Sequence, residues 1–552
     1  MLHNLAMQIL LSLALLCGGV HAQGALSPLE LEIGQMIMPA ADVSRIDRFK
    51  DAIERGEIGG ILLQWGKFDS EITAEAASRL QSWAAKSPLG RPLLVAVDYE
   101  GGPVFSPETL GLPDLPTNMM MGASGSERDC AFLFYLAGQE LKKAGINMNF
   151  APVLDINTEP ENPIIGVRAF GDNPADAARL GAAVIGGLNA AGVAPVAKHF
   201  PGHGAAFADS HKRLPVIYLS SAALAEHILP FERAASSSGA AGIMTAHALY
   251  PALDGANIAT FSTAVVQGML RGETGYRGLV VSDSLDMKAA SPALADVPRA
   301  AARAAAAGVN LLLTGGGDYA GARSAIMRGV EDGAVPRSAV AESCRLVGEV
   351  KAKYAASPPE PAMATDVSSS YLDVSRKIAR EAVTVVRSSS GMVPFVPAAA
   401  RIPVCAVFFV PARFSDNMIP FSGAVMGRGW TIQQYNSRVS PGRVDEARAL
   451  ECAAWADITV IGSFQWAGSP VRKQVGLVRK LLRKARNPVL VSLMNPYDIN
   501  MYPEAKNVIA IYGTTKFSAA ALGEILTGQI PPQGRLPVKL KPWQSSGKPH
   551  AE

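Results

Sequence analysis

A dense group of polar side chains follows one apolar run near the middle of the chain. Lys198 and His199 end that run, and His203, Asp209 and His211 lie within the next twelve residues. Two residues apart in an extended segment, Asp209 and His211 would point the same way, so the carboxylate could orient and polarise the imidazole for general acid–base catalysis. The alternative is an exposed pair of loop residues without a role.

The same histidines allow a second interpretation, a metal site formed by His199, His203 and His211. Zinc sites use three or four ligands with an ordered second shell, and the spacing here does not match a helix-borne signature such as His-Glu-x-x-His. Lys198 and His199 also suit hydrogen bonding to a polyhydroxylated ligand. The spacing therefore favours a site without a metal.

A second candidate group stands at the end of another apolar run, where Val-Val-Ser is followed by Asp283. A strand that buries its apolar residues and ends on an aspartate presents one carboxylate as a potential nucleophile. The alternative is a helix N-cap, a position that favours aspartate. Asp286, one turn further on, is expected in a capping or solvated role.

Eight apolar runs in the first 350 residues could position these groups. They are residues 33–39, 58–64, 93–98, 146–156, 193–199, 242–247, 278–283 and 309–314. Most are continuous apolar blocks, as expected for parallel strands buried on both faces, and alanine-rich helical stretches separate them. Eight such units predict a (β/α)8 barrel, whose chemistry sits at the C-terminal strand ends. Polar residues do fall at or near these ends: Asp98, Asp155, Lys198, His199, His247 and Asp283.

The rest of the chain predicts a second domain. Residues 355–370 are rich in Pro and Ser and are typical of a linker. Five further apolar runs and a strongly basic amphipathic segment at 471–485 follow, which indicates a three-layer α/β sandwich. We assign the barrel to residues 28–354 and the sandwich to residues 371–545.

The N-terminus predicts export. An apolar run at residues 9–17 precedes small residues suited to cleavage after Ala22. The run is too short to span a bilayer and has the length of a signal-peptide core, although no Lys or Arg precedes it. A buried N-terminal helix is the alternative. We expect a signal peptide at residues 1–22, a periplasmic or extracellular location, and no stable membrane insertion after cleavage.

The composition argues against a nucleic-acid partner, and the cysteine spacing predicts no disulfide framework. The formal net charge is +3, which gives no support for a nucleic-acid partner. Hydrophobic residues make up 49% of the chain, so a large packed core is expected. The five cysteines are scattered without a Cys-x-x-Cys pair, and no disulfide can be assigned from their spacing. The oligomeric state is not indicated.

Several motifs together resemble glycoside hydrolase family 3, in particular its β-N-acetylglucosaminidase branch. They occur in the family's order at residues 97–102, 151–156, 165–171, 198–215, 244–247, 282–287 and 534–538. Linked motifs in order are more specific than any one of them, and these span nearly the whole chain after the apolar N-terminus. One departure is that Pro103 and Ser106 stand where the family usually has arginines, one of which contacts the sugar.

The resemblance implies a role for each matching position. Asp283 would be the catalytic nucleophile, and His211, assisted by Asp209, the general acid/base. The substrate-binding residues would be Asp98, Arg168, Lys198, His199 and His247. In β-glucosidase relatives the second domain supplies a catalytic glutamate; since Asp209 and His211 would fill that role here, we expect no catalytic residue after Ser370.

We therefore predict a retaining β-N-acetylhexosaminidase that acts on a carbohydrate substrate and needs no metal and no organic cofactor. It would remove terminal β-linked N-acetylglucosamine from cell-wall or chitin-derived glycans through a covalent glycosyl-enzyme. A neutral imidazole does not repel an incoming anion as a carboxylate would, so a phosphorylase is an alternative. A β-glucosidase- or β-xylosidase-like hydrolase is another, and a catalytically inactive sugar-binding protein with the same fold is the third.

Overall fold

The computed structural model describes residues 25–64, 70–102, 115–236, 239–356, 367–389, 393–395, 401–466, 468 and 471–540. Two large sheets organise this part of the chain. The predicted signal peptide lies outside the described residues, as do Pro103, Ser106 and residues 357–366 of the predicted linker.

The first sheet contains eight parallel strands. They are β1 (Ile37–Ala41), β2 (Gly60–Leu63), β3 (Leu94–Val97), β4 (Met148–Asn149), β5 (Ala194–Phe200), β6 (Gly242–Thr245), β9 (Leu279–Ser282) and β10 (Leu312–Gly315); β7 (Leu249–Tyr250) and β8 (Asp254–Ile258) form a separate antiparallel pair. Their order is β10-β1-β2-β3-β4-β5-β6-β9. A parallel bridge between Val281 and Leu311 brings the two ends together, which confirms the (β/α)8 barrel.

Helices surround the barrel. They are α1 (Pro28–Gln35), α2 (Lys50–Arg55), α3 (Ser70–Ala84), α4 (Asn118–Ser124), α5 (Glu127–Lys143), α6 (Pro174–Ala190), α7 (Ser221–Ser236), α8 (Val297–Ala307), α9 (Tyr319–Glu331) and α10 (Arg337–Tyr354), with a π-helix at Ala264–Glu273. Local signals set their ends. Asn173 caps α6, with Pro174 at its first position, and Gly308, at φ 99°, ends α8 in the left-handed region.

Apolar side chains fill the barrel interior. Met38, Leu94, Met148, Phe150 and Val196 are all fully buried in one cluster contributed by successive strands. A packed interior leaves no room for a ligand, so polar groups can meet a substrate only at the rim. Short 3-10 turns occur in the loops of both domains. They are Val43–Phe49, Gly166–Arg168, Ala259–Phe261 and Leu294–Asp296 in the barrel domain, and Ala412–Phe414, Asp416–Met418 and Pro496–Met501 in the second domain.

The second sheet forms the predicted α/β sandwich. Its strands are β11 (Thr384–Arg387), β12 (Pro403–Phe409), β13 (Thr431–Ser437), β14 (Ile458–Ser463), β15 (Asn487–Ser492) and β16 (Val508–Ala510), and its helices are α11 (Val367–Ala382), α12 (Ile419–Gly427), α13 (Arg443–Trp455), α14 (Arg472–Lys484) and α15 (Lys516–Leu526). The order is β11-β16-β15-β14-β12-β13, and only β11 among these strands runs antiparallel to its neighbour.

The two helical layers of the sandwich differ in their surroundings. α12 connects β12 to β13 in one direction along the sheet, whereas α13 and α14 connect strands in the opposite direction. Because parallel crossovers are right-handed, α13 and α14 share one face and α12 lies on the other. α11 packs on α15 and also on α4 and α5 of the barrel. We therefore call the layer of α13 and α14 the outer face.

Some elements differ from the sequence prediction. The apolar run at 33–39 was predicted as one strand but is divided between a helix and a strand. Ser27 and Glu30 form a capping box at the start of α1, which includes the first residues of the run, and β1 begins only at Ile37. β13 was not predicted, since this polar strand lies at the sheet edge and has only β12 as a neighbour.

Cys405 and Cys452 form a disulfide. Within the described ranges, no helix is both long and apolar enough to cross a membrane.

Candidate active site

The C-terminal rim of the barrel carries a cavity of about 120 Å³. Asp98 directly follows β3, Lys198 and His199 lie near the end of β5, and Asp283 directly follows β9. Since the C-terminal ends of parallel strands meet at one rim, these four side chains line the same cavity. Two more predicted residues join them from loops, Arg168 and His211.

A buried ion network forms one wall of the cavity. Lys198 Nζ lies 2.6 Å from Asp98 Oδ1 and 2.5 Å from Glu100 Oε1. The Arg168 guanidinium donates two hydrogen bonds of 2.8 Å to the Glu100 carboxylate. Two cations thus face two anions, which compensates the cost of burying each charge. The network fixes the positions of the Asp98, Arg168 and Lys198 side chains.

Glu100 is the member of this network that the sequence did not single out. Its side chain is buried, and burial by itself would raise its pKa. The neighbouring Arg168 and Lys198 outweigh burial and hold the pKa of Glu100 far below its ordinary value. The signal was present in the motif, because Asp98 and Glu100 stand two residues apart directly after β3.

A second buried carboxylate orients the histidines. Asp155 Oδ2 lies 2.7 Å from His199 Nδ1, and Asp155 Oδ1 accepts from the His203 backbone N–H at 2.6 Å. Burial would raise the pKa of Asp155, but His199 and these hydrogen bonds lower it. With Nδ1 directed at Asp155, His199 presents Nε2 as its second polar atom. The His203 ring also lines the cavity, and burial lowers its pKa to about 4, so it is neutral.

The Asp209–His211 pair is formed, but in a turn and not in the extended segment expected from the sequence, since the Lys212 and Arg213 N–H groups both donate to the Asp209 carbonyl at 3.0 Å. Asp209 Oδ1 lies 2.9 Å from both the backbone nitrogen and Nδ1 of His211. Burial would raise the pKa of Asp209, whereas the hydrogen bonds from His211 lower it. The His211 side chain is 57% exposed, so its ring is open to a leaving group and to water. The Ala289 N–H donates to the Ser210 carbonyl at 3.1 Å and ties this loop to the rim.

Asp283 provides an ionised carboxylate at the cavity. The Ser284 backbone N–H donates to Asp283 Oδ1 at 2.7 Å. Burial would raise the pKa of Asp283, but the histidines at positions 199, 247 and 211 and this hydrogen bond bring it below its ordinary value. The charged form is the one that a nucleophile requires.

His247 lies behind the cavity wall. Its side chain is buried, with Nδ1 2.8 Å from Thr260 Oγ1 and Nε2 3.1 Å from the Ser284 carbonyl. Burial lowers its pKa. Both ring nitrogens are therefore engaged by protein atoms, and His247 supports the turn that carries Asp283 instead of projecting into the cavity.

The second domain contributes a side chain to the same cavity. Trp466 follows β14 and lines the cavity beside Ile164 and Ile165 of the barrel. No motif signalled it, because its partners are about 300 residues away in the sequence. Among the described residues, no group of three or more His, Cys, Asp and Glu side chains has the arrangement of a metal site.

Comparison with known proteins identifies the family. The profile of the glycosyl hydrolase family 3 N terminal domain matches residues 28–350. The chain belongs to glycoside hydrolase family 3. A β-N-acetylglucosaminidase of this family from Paenibacillus sp. str. FPU-7 has a similar structure, with a TM-score of 0.83 and 30% identity, covering 94% of this chain and 100% of that one.

Curated relatives of this family 3 chain match about half of its length. Beta-hexosaminidase of Nitrosomonas eutropha is 34% identical over 293 residues, which are 51% of this chain and 80% of that protein. Beta-hexosaminidase A of Pseudoalteromonas piscicida is 38% identical over 257 residues, and this match spans only 43% of the chain and 42% of that relative.

Proposed function

We propose that this family 3 enzyme is a retaining β-N-acetylhexosaminidase. One observation carries the proposal: the Asp283 carboxylate and the His211 imidazole of the Asp209–His211 pair line one cavity, next to the ion network of Asp98 and Lys198. A retaining glycosidase needs a nucleophile and a proton donor at the same glycosidic bond. The relatives named beta-hexosaminidase and the Paenibacillus structure support the choice of amino sugar.

In the first step, an Asp283 oxygen attacks the anomeric carbon while the bond to the leaving oxygen breaks. His211, protonated on both ring nitrogens, gives the Nε2 proton to that oxygen. Asp209 remains ionised and accepts from Nδ1, which stabilises the imidazolium and fixes the ring. The products are a covalent glycosyl-enzyme and a released aglycone.

In the second step, His211 Nε2 accepts a proton from water as the water oxygen attacks the anomeric carbon. The bond to Asp283 breaks, and the sugar leaves with its β-configuration retained. Asp98, Arg168, Lys198 and His199 bind the hydroxyl groups of the sugar. Because the network between them neutralises its own charge, it offers polar contacts to a neutral sugar without attracting ions.

The substrates that we propose are cell-wall fragments, such as those of peptidoglycan, or chitin fragments with a terminal β-linked N-acetylglucosamine. The Asp283 carboxylate, the His211 imidazole and the ion network line one small cavity, which favours release of one terminal residue over cleavage within a chain. We also propose that the protein is exported. The Cys405–Cys452 disulfide supports this, because disulfides persist in oxidising compartments. N-terminal sequencing of the protein from fractionated cells would test the cleavage after Ala22.

The decisive experiment is turnover of a panel of 4-nitrophenyl glycosides with and without phosphate. We expect nitrophenol and N-acetylglucosamine from the β-N-acetylglucosaminide. Turnover of the β-glucoside alone would reject the substrate, sugar 1-phosphate would indicate a phosphorylase, and sugar binding without any turnover would indicate a binding protein.

The nucleophile is tested with two neighbouring carboxylates. Asp283→Ala should abolish turnover, because it removes the carboxylate to which we assign formation of the glycosyl-enzyme. Asp286→Asn should retain most of it, since Asp286 is engaged by Ser284 Oγ at 2.6 Å and by the Gly316 backbone N–H at 2.9 Å. The reverse pattern would transfer the nucleophilic role to Asp286.

A further inference from the structure

Positive charge is concentrated in one stretch of the second domain. Residues 443–486 contain nine Lys and Arg against four Asp and Glu, whereas the whole chain has 51 against 48. This stretch alone therefore carries a formal charge of +5, and the rest of the chain is slightly negative. α14 holds six of the nine basic residues and no acidic residue.

The basic residues of α14 share its solvent face. Val475, Val478 and Leu481 are buried against the sheet. The opposite side of the helix presents six exposed cations: Arg472, Lys473, Arg479, Lys480, Arg483 and Lys484. At 1.5 Å per residue they form a ridge about 18 Å long. We call these six residues the basic ridge.

Only part of the ridge is neutralised by the protein. Lys480 Nζ lies 2.6 Å from a Glu446 oxygen, and Arg479 lies 3.8 Å from Glu504. The other four cations have no acidic partner within the described part of the chain: Arg472, Lys473, Arg483 and Lys484. They stand in pairs at the two ends of α14, so the whole length of the ridge can meet an anionic surface.

The neighbouring helix adds exposed apolar side chains to the same face. Trp455, at the end of α13, is 41% exposed, and Val444, at its start, is 63% exposed. Trp455 is two residues from Asp457, whose carboxylate lies 2.7 Å from Arg486 just beyond α14. The C-terminal ends of α13 and α14 therefore lie at the same edge of the sheet. An exposed indole together with Lys and Arg on one face is typical of proteins that sit at the headgroup level of a membrane.

We propose that the outer face of the second domain, formed by α13 and the basic ridge, adsorbs to anionic lipid bilayers. The apolar side of α14 is used in the core of the domain, so the helix cannot turn it towards lipid. Adsorption therefore rests on electrostatic attraction and on the Trp455 indole, and it is reversible and sensitive to salt. The layer of α11 and α15 faces the barrel, which leaves the outer face accessible.

The test is co-sedimentation of the full chain with vesicles. Phosphatidylcholine vesicles containing one third phosphatidylglycerol should bind the protein at low salt. Vesicles of pure phosphatidylcholine should not bind it, and high salt should release the protein from the anionic vesicles. The quadruple variant Arg472→Gln, Lys473→Gln, Arg483→Gln, Lys484→Gln should lose roughly 100-fold or more in partitioning, because each cation near such a surface contributes about fivefold.

A matched variant controls for net charge. Arg45→Gln, Lys50→Gln, Arg128→Gln and Arg328→Gln remove the same charge from four exposed residues scattered over the barrel domain. This variant should bind vesicles nearly as the wild type does. Turnover of the nitrophenyl substrate by both variants verifies that they are folded. Equal loss of vesicle binding in both would overturn the proposal, as would failure of the wild type to bind anionic vesicles at low salt.

The last arm separates a bilayer from a soluble polyanion. Trp455→Ala should lower partitioning to anionic vesicles a few-fold and leave binding to poly-glutamate unchanged, since only a bilayer offers an interface to the indole. Binding to poly-glutamate as tight as to vesicles, with no effect of Trp455→Ala on either, would assign the basic ridge to a soluble polyanion and refute the membrane proposal.

Discussion

Gln474 fixes the backbone of Phe464 through both atoms of its side-chain amide. The Phe464 N–H donates to Gln474 Oε1 at 2.8 Å, and Gln474 Nε2 donates to the Phe464 carbonyl at 2.9 Å. Phe464 is two residues before Trp466, so a buried amide of α14 sets the path of the loop that brings Trp466 to the cavity. The second domain thereby forms part of the candidate active site, although we assign no catalytic residue to it.

Trp466→Ala is expected to weaken substrate binding. The indole offers an apolar surface to the C–H groups of a sugar ring, and its loss should raise KM roughly tenfold, since contacts of this type are worth about 1–2 kcal/mol. Steady-state kinetics on the 4-nitrophenyl β-N-acetylglucosaminide give KM and kcat separately. Trp455→Ala removes an indole from the outer face and should leave both constants unchanged. An unaltered KM in the Trp466 variant would mean that Trp466 does not touch the sugar.

Glu100→Gln is expected to damage both stability and binding. It leaves Arg168 and Lys198 with Asp98 as the one remaining carboxylate of the network, and loss of one partner from a buried ion pair costs about 3–5 kcal/mol. Urea unfolding should show this loss, and KM should rise because Arg168 and Lys198 are no longer held in place. Glu140→Gln breaks the surface pair with Lys143 and should cost less than about 1 kcal/mol. Similar losses in both variants would contradict the role of burial.

His211→Ala should lose activity in proportion to the need for a proton donor. A 2,4-dinitrophenyl leaving group departs without protonation, whereas a sugar or alkyl leaving group requires it. The variant should therefore retain far more of its glycosylation rate with the dinitrophenyl substrate than with chitobiose. Asp209→Asn should show the same trend with a smaller loss, on the order of 100-fold in kcat or more for chitobiose, because the imidazolium loses its anionic partner. An equal loss on both substrates would indicate a different proton donor.

The sequence predicts the barrel well because each of its strands is marked by residues that are close together in the chain. Each strand is an apolar run, and the polar residue that follows it necessarily reaches the C-terminal rim. Asp98, Lys198 and Asp283 were found in this way. Glu100 was missed because its importance comes from Arg168, which lies 68 residues further along the chain. Trp466 depends on the packing of two domains, which no pattern within either domain encodes.

His247 shows a second limit of sequence reasoning. Its position after β6 predicts only that it reaches the rim, and the choice between cavity and wall depends on its neighbours. Thr260 and the Ser284 carbonyl engage its two nitrogens. Edge strands show a related limit, since β13 has one neighbour and does not need the apolar run by which the other strands were recognised.

Asp498 predicts an unusual dependence of stability on pH. It lies in the turn after β15, and its side chain is buried. Burial raises its pKa to about 7, and the hydroxyl groups of Ser492 and Ser463 oppose this shift only in part. The ordinary pKa of an aspartate is about 3.9. The folded protein therefore binds this proton more tightly than the unfolded chain, and the carboxyl group of Asp498 is protonated below neutral pH.

The sign of the effect follows from this difference in proton affinity. The contribution of Asp498 to stability is complete below about pH 4, falls as the unfolded chain ionises between about pH 4 and 7, and is lost above pH 7. Asp498→Asn cannot ionise, so its free energy of unfolding relative to the wild type should rise by about 2–4 kcal/mol between pH 4 and 8. Urea titrations of both proteins at pH 4 and pH 8 measure this change in the free energy of unfolding. Asp332→Asn, at an exposed position, should parallel the wild type, and an Asp498 variant that did the same would show that this carboxyl group titrates normally.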